Sequence, residues 1–136
     1  MKFSNLNCKI QIYTTVNPSE DPAKIHKSIL NIFPNCKISN DDFQIKGETT
    51  NLQSLEKIYE TIHSTQSQKV LQRQLEKHID NNSTWFYLNK QAAFVEKVVM
   101  CDEADESPLG PLKIIIYSTN IDRIIDILVL DNKQIS

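Results

Sequence analysis

The residue types best suited to chemistry lie in one run of this chain, Trp85-Phe86-Tyr87-Leu88-Asn89-Lys90-Gln91-Ala92-Ala93-Phe94. The run interleaves flat aromatic rings with amide and ammonium groups. Rings carried on a sheet stack on unpaired bases, and Asn, Lys and Gln reach base edges and phosphates. A plainer reading fits the same run: alternate aromatics fill a core, and Asn89-Lys90-Gln91 is a polar connection. Other chemistries find less support. Nucleophilic catalysis needs a Ser or Cys beside a base, usually at a sharp glycine turn, and no segment offers that arrangement. Only two glycines exist, Gly47 and Gly110, so a glycine-rich phosphate loop is excluded. His26, His63 and His78 are scattered without ligand spacing, and surface or capping roles are expected of them. The run Asp102-Glu103-Ala104-Asp105-Glu106 lacks the alternating ligands and turn glycine of a calcium loop and reads as a solvated acidic loop. No catalytic residue, metal site or cofactor is expected.

Those groups must be positioned by a modest domain. A chain of 136 residues fits one domain, here 1–136, able to bury a core without staples. Cys8, Cys36 and Cys101 are far apart and odd in number, which argues against a disulfide framework or zinc site and for small core side chains. The longest apolar run, Ile114 to Tyr117, is far short of a membrane span, and Met1 to Asn7 lacks a signal-peptide apolar region. A cytoplasmic protein with no membrane partner is expected. The net charge of −2 opposes a strongly basic nucleic-acid binder, but the charge is uneven. Residues 1–46 hold six lysines against four acids, whereas residues 101–136 hold three bases against seven acids. A basic patch can therefore come from the first half. Only Arg73 and Arg123 are arginines, so lysines acting as point charges would do most phosphate binding.

Periodicity supplies the elements. Cys8, Ile10, Ile12, Thr14 and Val16 alternate with polar residues as in a half-buried strand, stopped by Asn17-Pro18-Ser19-Glu20-Asp21-Pro22. Asp21 caps a helix from Pro22 to about Phe33, with Ile25, Ile29, Ile32 and Phe33 on one face. A strand over Lys37 to Lys46 puts Phe43 and Ile45 on one side, with Asp41-Asp42 as an interruption and Gly47 as its end. A long helix from Asn51 loses its pattern at residues 63–68 and resumes through Val70, Leu71, Leu75 and Ile79, giving one kinked helix or two in series. Thr84 to Leu88 and Phe94 to Cys101 are β-prone and form a hairpin or one bent strand. After Pro108-Leu109-Gly110-Pro111 come a strand, Leu112 to Ser118, and a helix, Ile121 to Leu130, capped by Asn120. The order β-α-β-α-β-β-β-α predicts an α+β fold, a mainly antiparallel sheet with helices on one face.

Three blocks carry a resemblance: Asn17 to Lys24 with Asn31-Ile32-Phe33-Pro34, then Phe86 to Phe94, then Pro108 to Pro111. In order, and across most of the chain, they resemble an archaeal family described as predicted RNA-binding proteins, sometimes as exosome-associated subunits. The resemblance implies a fold like that of the ribosomal protein that binds 5S rRNA. It also implies RNA as partner, with Asn89, Lys90, Gln91 and Lys97 as contacts and Lys9, Lys24, Lys27 and Lys46 as a phosphate-facing set. The chain departs from the family pattern at Glu96, where glycine is expected. It departs again at 66–73, where Lys69 or Arg73 must replace an expected arginine. The competing expectation is a scaffold subunit whose acidic C-terminal third meets a basic protein partner. A third is an enzyme with a site assembled across the sheet, which would need a deep polar pocket.

Overall fold

Alternating buried and outward residues in the four longest strands place one side of a sheet against helices. In a computed structural model describing residues 6–41 and 43–130, the core of that sheet is β1 (Lys9–Thr15), β3 (Gln44–Thr49), β4 (Ser83–Leu88) and β6 (Leu112–Tyr117). Short edge strands, β2 (Lys37–Asn40) and β5 (Met100–Cys101), complete it. The six strands run in the order β2-β3-β1-β6-β4-β5, every neighbour antiparallel. Asp42, the first five residues and residues 131–136 lie outside the described residues, and with them the start of the segment read above for a leader. The chain is a single α+β domain with five helices on one face of the sheet.

The expected order holds, with three refinements. The second strand is a β2–β3 hairpin, because Asp41 Oδ1 accepts from the backbone N–H groups of Phe43 and Gln44 and folds the chain back. Phe43 therefore sits at the tip, 77% exposed, and not beside Ile45. Gly47 lies inside β3 and does not end it. Its inward side is filled by Ile29, Cys36 and Ile12, which a Cβ would approach to 3.2–3.4 Å. The long helix is two, α2 (Glu56–Ser64) after a short 3₁₀ turn and α3 (Gln68–Lys77), broken at Gln66 with φ 55°. The polar run 63–68 offers no apolar stripe to carry one helix through. The expected second β-prone stretch, Phe94 to Cys101, is mostly turn and irregular chain. Asn89 caps α4 (Lys90–Phe94) by accepting from the Ala92 N–H at 2.8 Å, and only Met100–Cys101 pairs with β4.

Asp21 accepts from Ala23 N–H at 3.0 Å and starts α1 (Pro22–Ile32), which buries Ile25, Ile29 and Ile32. The last helix, α5 (Ile121–Val129), starts at Asn120 without the expected side-chain cap and buries Ile121, Ile124, Ile125 and Leu128. Each such side chain contributes about 1.5–3 kcal/mol of burial. These helix faces meet Ile10, Ile12, Ile45, Phe86, Leu88, Leu112, Ile114 and Ile116 in one core. The three cysteines are free, and burial pushes all three thiols up from their ordinary value, with Glu106 and Asp102 adding to it at Cys101. No described helix is long and apolar enough to cross a membrane.

Candidate nucleic-acid interface

The residues singled out from the sequence gather at one corner, where α1, α4 and the 107–111 loop meet. There the three blocks that carry the family resemblance touch. The Lys90 ammonium donates to both Glu20 carboxylate oxygens at 3.1 Å, to Thr15 O at 3.1 Å and to Leu109 O at 2.9 Å. Its side chain is 3% exposed and that of Glu20 9%. Asn17 donates from its side chain to Glu20 Oε1 at 2.7 Å and to Leu109 O at 2.8 Å. Gln91 donates to Pro108 O at 2.6 Å and accepts from Ser107 Oγ, which in turn accepts from the Lys90 N–H. Burial alone would push the Glu20 carboxyl up. The Asn17 side-chain and backbone bonds, followed by Lys90, outweigh it and hold the carboxyl below the usual carboxylate range.

This network is closed: no described buried side-chain donor or acceptor lacks a partner. Lys90, expected as an RNA contact, is the internal staple of the corner, since a buried ammonium must be paired where it lies. Asn89 caps α4. Gln91 is exposed but committed to the 107–108 backbone, while Lys24, Lys27 and Lys97 are exposed. Lys27 rests 5.2 Å from the Phe94 ring centroid. A cleft of about 280 Å³ opens beside them, lined by Lys24, Ile25, Ser28, Gln91 and Phe94 among others. The phosphate-facing set divides: Lys24 and Lys27 belong to α1 on the helix side, while Lys9 and Lys46 stand on the other face of the sheet.

None of the five α-helices packs its apolar stripe on that other face, where His78 at the end of α3 stacks on Trp85 and Ala104 lines a hollow with Tyr13, Tyr87 and Lys113. Register fixes what points outward. One row crosses four strands as Lys46, Tyr13, Lys113 and Tyr87, each opposite the next. The adjacent row is Glu48, Gln11, Ile115 and Trp85. Lys9 stands opposite Tyr117, and Lys37 opposite Glu48. On the outward positions of the described strands, four lysines thus face a single acid, Glu48, in a chain of net charge −2. Lys46 lies 5.6 Å from the Tyr13 ring centroid and Lys113 4.4 Å from that of Trp85. His78 stacks on Trp85 at 3.5 Å and donates its Nδ1–H to Trp85 O at 3.1 Å. Tyr87 leans on Trp85 at 4.9 Å. Glu48 bridges Lys9 and Lys46, each at 3.3 Å, and its hydrogen bond is the main cause that raises the Lys46 ammonium pKa.

Sequence reasoning placed Trp85 and Tyr87 in the informative run but did not choose them as contacts, and it missed Tyr13 and Lys113 altogether. The signal was available in the polar positions of β1 and β6, where Lys9, Gln11, Tyr13 and Lys113, Ile115, Tyr117 alternate with the core residues. Elsewhere, Lys69 and Arg73 are exposed one turn apart on α3. His63 bonds Leu128 O at 2.8 Å, and His26 bonds Asn40 Oδ1 at 2.7 Å. Among the described residues no cluster of His, Cys, Asp or Glu has the geometry to hold a metal ion.

Comparison with known proteins places this geometry in a family. A family model described as RNA binding matches residues 9–119. The UPF0201 protein of Methanothermobacter thermautotrophicus is 35% identical over 123 residues, 90% of this chain and 92% of its own. That of Sulfurisphaera tokodaii is 35% identical over 122 residues, 87% of this chain and 84% of its own. The crystal structure of the UPF0201 protein from Methanococcus jannaschii superposes with a TM-score of 0.76 at 31% identity, covering 89% of this chain and 98% of that one. The crystal structure of an uncharacterized UPF0201 protein gives 0.77 at 26% identity, covering 92% and 95%. The chain matches the family model over most of its length, shares more than 30% identity with archaeal members, and superposes closely on a solved member, so it belongs to the UPF0201 family, whose model is described as RNA binding.

Proposed function

We propose that this protein is a non-enzymatic RNA-binding module whose contact surface is the open face of the sheet. The observation that carries the reading is the concentration of four lysines against one acid at the outward strand positions of that face, interleaved with Tyr13, Trp85, Tyr87 and Tyr117. A polyanion gains most where cations cluster on otherwise acidic proteins, and phosphate contacts supply most of the affinity. Lys24, Lys27 and Lys97 on the helix side extend the phosphate contact, with Gln91 beside them. Asn89 and Lys90 act indirectly, by holding that corner in shape. The family description supports RNA as the ligand class. Work as an accessory of RNA processing or of the exosome in the cytoplasm, and a likeness to the 5S-rRNA-binding ribosomal fold, complete the proposal and rest on the resemblance of the three sequence blocks.

Binding of purified protein to a mixed pool of structured cellular RNA, measured at several salt concentrations, tests this. With the four open-face lysines neutralising phosphates on single strands, the slope of log K against log salt should approach about −3. No binding at low salt would reject the proposal and turn attention to a protein partner.

A further inference from the structure

Resting on that reading, we infer that the row Lys46-Tyr13-Lys113-Tyr87 is a stacking platform for unpaired bases, so that the ligand is a single-stranded RNA segment and not a duplex. The row alternates ammonium and ring across four adjacent strands. Tyr13 and Tyr87 stand two strand spacings apart, roughly 10 Å. Lys113 lies between them, within 4.4 Å of the Trp85 centroid. A base on each tyrosine would place the intervening phosphate over Lys113, and the outer phosphate over Lys46.

Three features favour bases over other occupants. Rings on an uncovered antiparallel sheet offer π-faces, and a duplex hides the base faces that would use them. The array has two exposed arginines nowhere on it, so bidentate reading of paired base edges is absent, and lysines supply sequence-tolerant charge. The cation–π contacts of Lys46 with Tyr13 and of Lys113 with Trp85 hold both ammonium groups above the ring array, within reach of a phosphate that flanks a stacked base.

Trp85 is the sole tryptophan, so its emission reports this face alone. The full-length protein is titrated with a fluorescently labelled uridine-rich single strand and with the same strand annealed to its complement. Anisotropy gives affinity, and Trp85 emission gives location. Expected are tighter binding of the single strand, a change in Trp85 emission on binding, and about a tenfold loss of single-strand affinity in Tyr13→Ala and in Tyr87→Ala. Tyr13→Leu and Tyr87→Leu, which keep bulk at the same strand positions without a π-face, should show the same loss and serve if the alanine variants unfold. Equal binding of both RNA forms, insensitive to every tyrosine variant, would overturn the stacking platform and leave the RNA-binding reading standing. Absence of binding to either form at low salt would overturn both.

Discussion

Two lysines show how differently one ammonium group is used in this molecule. At the corner of α1, α4 and the 107–111 loop, Lys90 is 3% exposed and spends its donors on Glu20, Thr15 O and Leu109 O. On the open sheet face, Lys113 is half-buried, rests over Trp85, and has no carboxylate within salt-bridge distance among the described residues. The first charge is taken out of water and must be matched in place. The second stays in water and is free to meet an incoming anion. The lesson is that a conspicuous polar motif marks what holds a fold together as readily as what the fold does.

The sharpest way to break the contrast is Lys90→Ala. It strands the buried Glu20 carboxylate and should cost about 3–5 kcal/mol of stability, read by chemical denaturation. The RNA affinity of the protein that remains folded should be unchanged. An RNA defect without a stability defect would reverse the assignment of the two surfaces.

Acid titration sharpens the same corner. The Glu20 carboxyl is held below its ordinary value in the folded state. Its contribution is therefore present above the unfolded value near ~4.3 and is lost as pH falls through the lower folded value. Denaturation midpoints should drop steeply below about pH 4, and Glu20→Gln should flatten that drop. On the open face Glu48 is also held below the usual carboxylate range by Lys46 and Lys9, so Glu48→Gln should flatten the drop too, but less, because that carboxylate stays in water.

On the open face, the paired change Lys46→Ala and Lys113→Ala should weaken RNA binding about tenfold or more and bring the salt slope about 1.4 closer to zero, near 0.7 per lost contact. Lys24→Ala, Lys27→Ala and Lys97→Ala together should act more weakly, since their side of the molecule lacks the ring array. Equal or larger effects there would move the interface to the α1–α4 cleft. The smallest expected effect belongs to Glu96→Gly. Glu96 adopts φ 64°, a left-handed conformation that costs a side chain with a Cβ about 1 kcal/mol. The glycine variant should gain up to that amount in thermal unfolding, with RNA affinity unchanged or slightly higher.

Much of the fold was legible because burial writes itself at fixed periods. Ile10, Ile12 and Thr14 announced β1 and its inward face, and Asp21-Pro22 announced where α1 begins. The β-prone stretch after α4 misled because Phe94, Val95, Val98 and Val99 have strand-forming side chains. Their backbone is instead committed by a cap at Asn89 and a left-handed turn at Glu96. Gly47 read as a stop because its actual role, leaving room under Ile29, depends on a helix packed above it. The candidate site was the least legible part. The contact residues expected at Asn89, Lys90 and Gln91 stood out as a motif because they build the corner. Tyr13 and Lys113 sit in different strands, 100 residues apart in sequence, and only the β1–β6 register makes them neighbours.

The most direct measurement is a map of backbone amide shifts as a single-stranded RNA oligomer is added to labelled protein at low salt. Perturbations centred on Tyr13, Lys46, Trp85, Tyr87 and Lys113, with the Glu20–Lys90 corner unmoved, are expected if the open face carries the function. Perturbations confined to α1, α4 and the 107–111 loop would contradict that assignment.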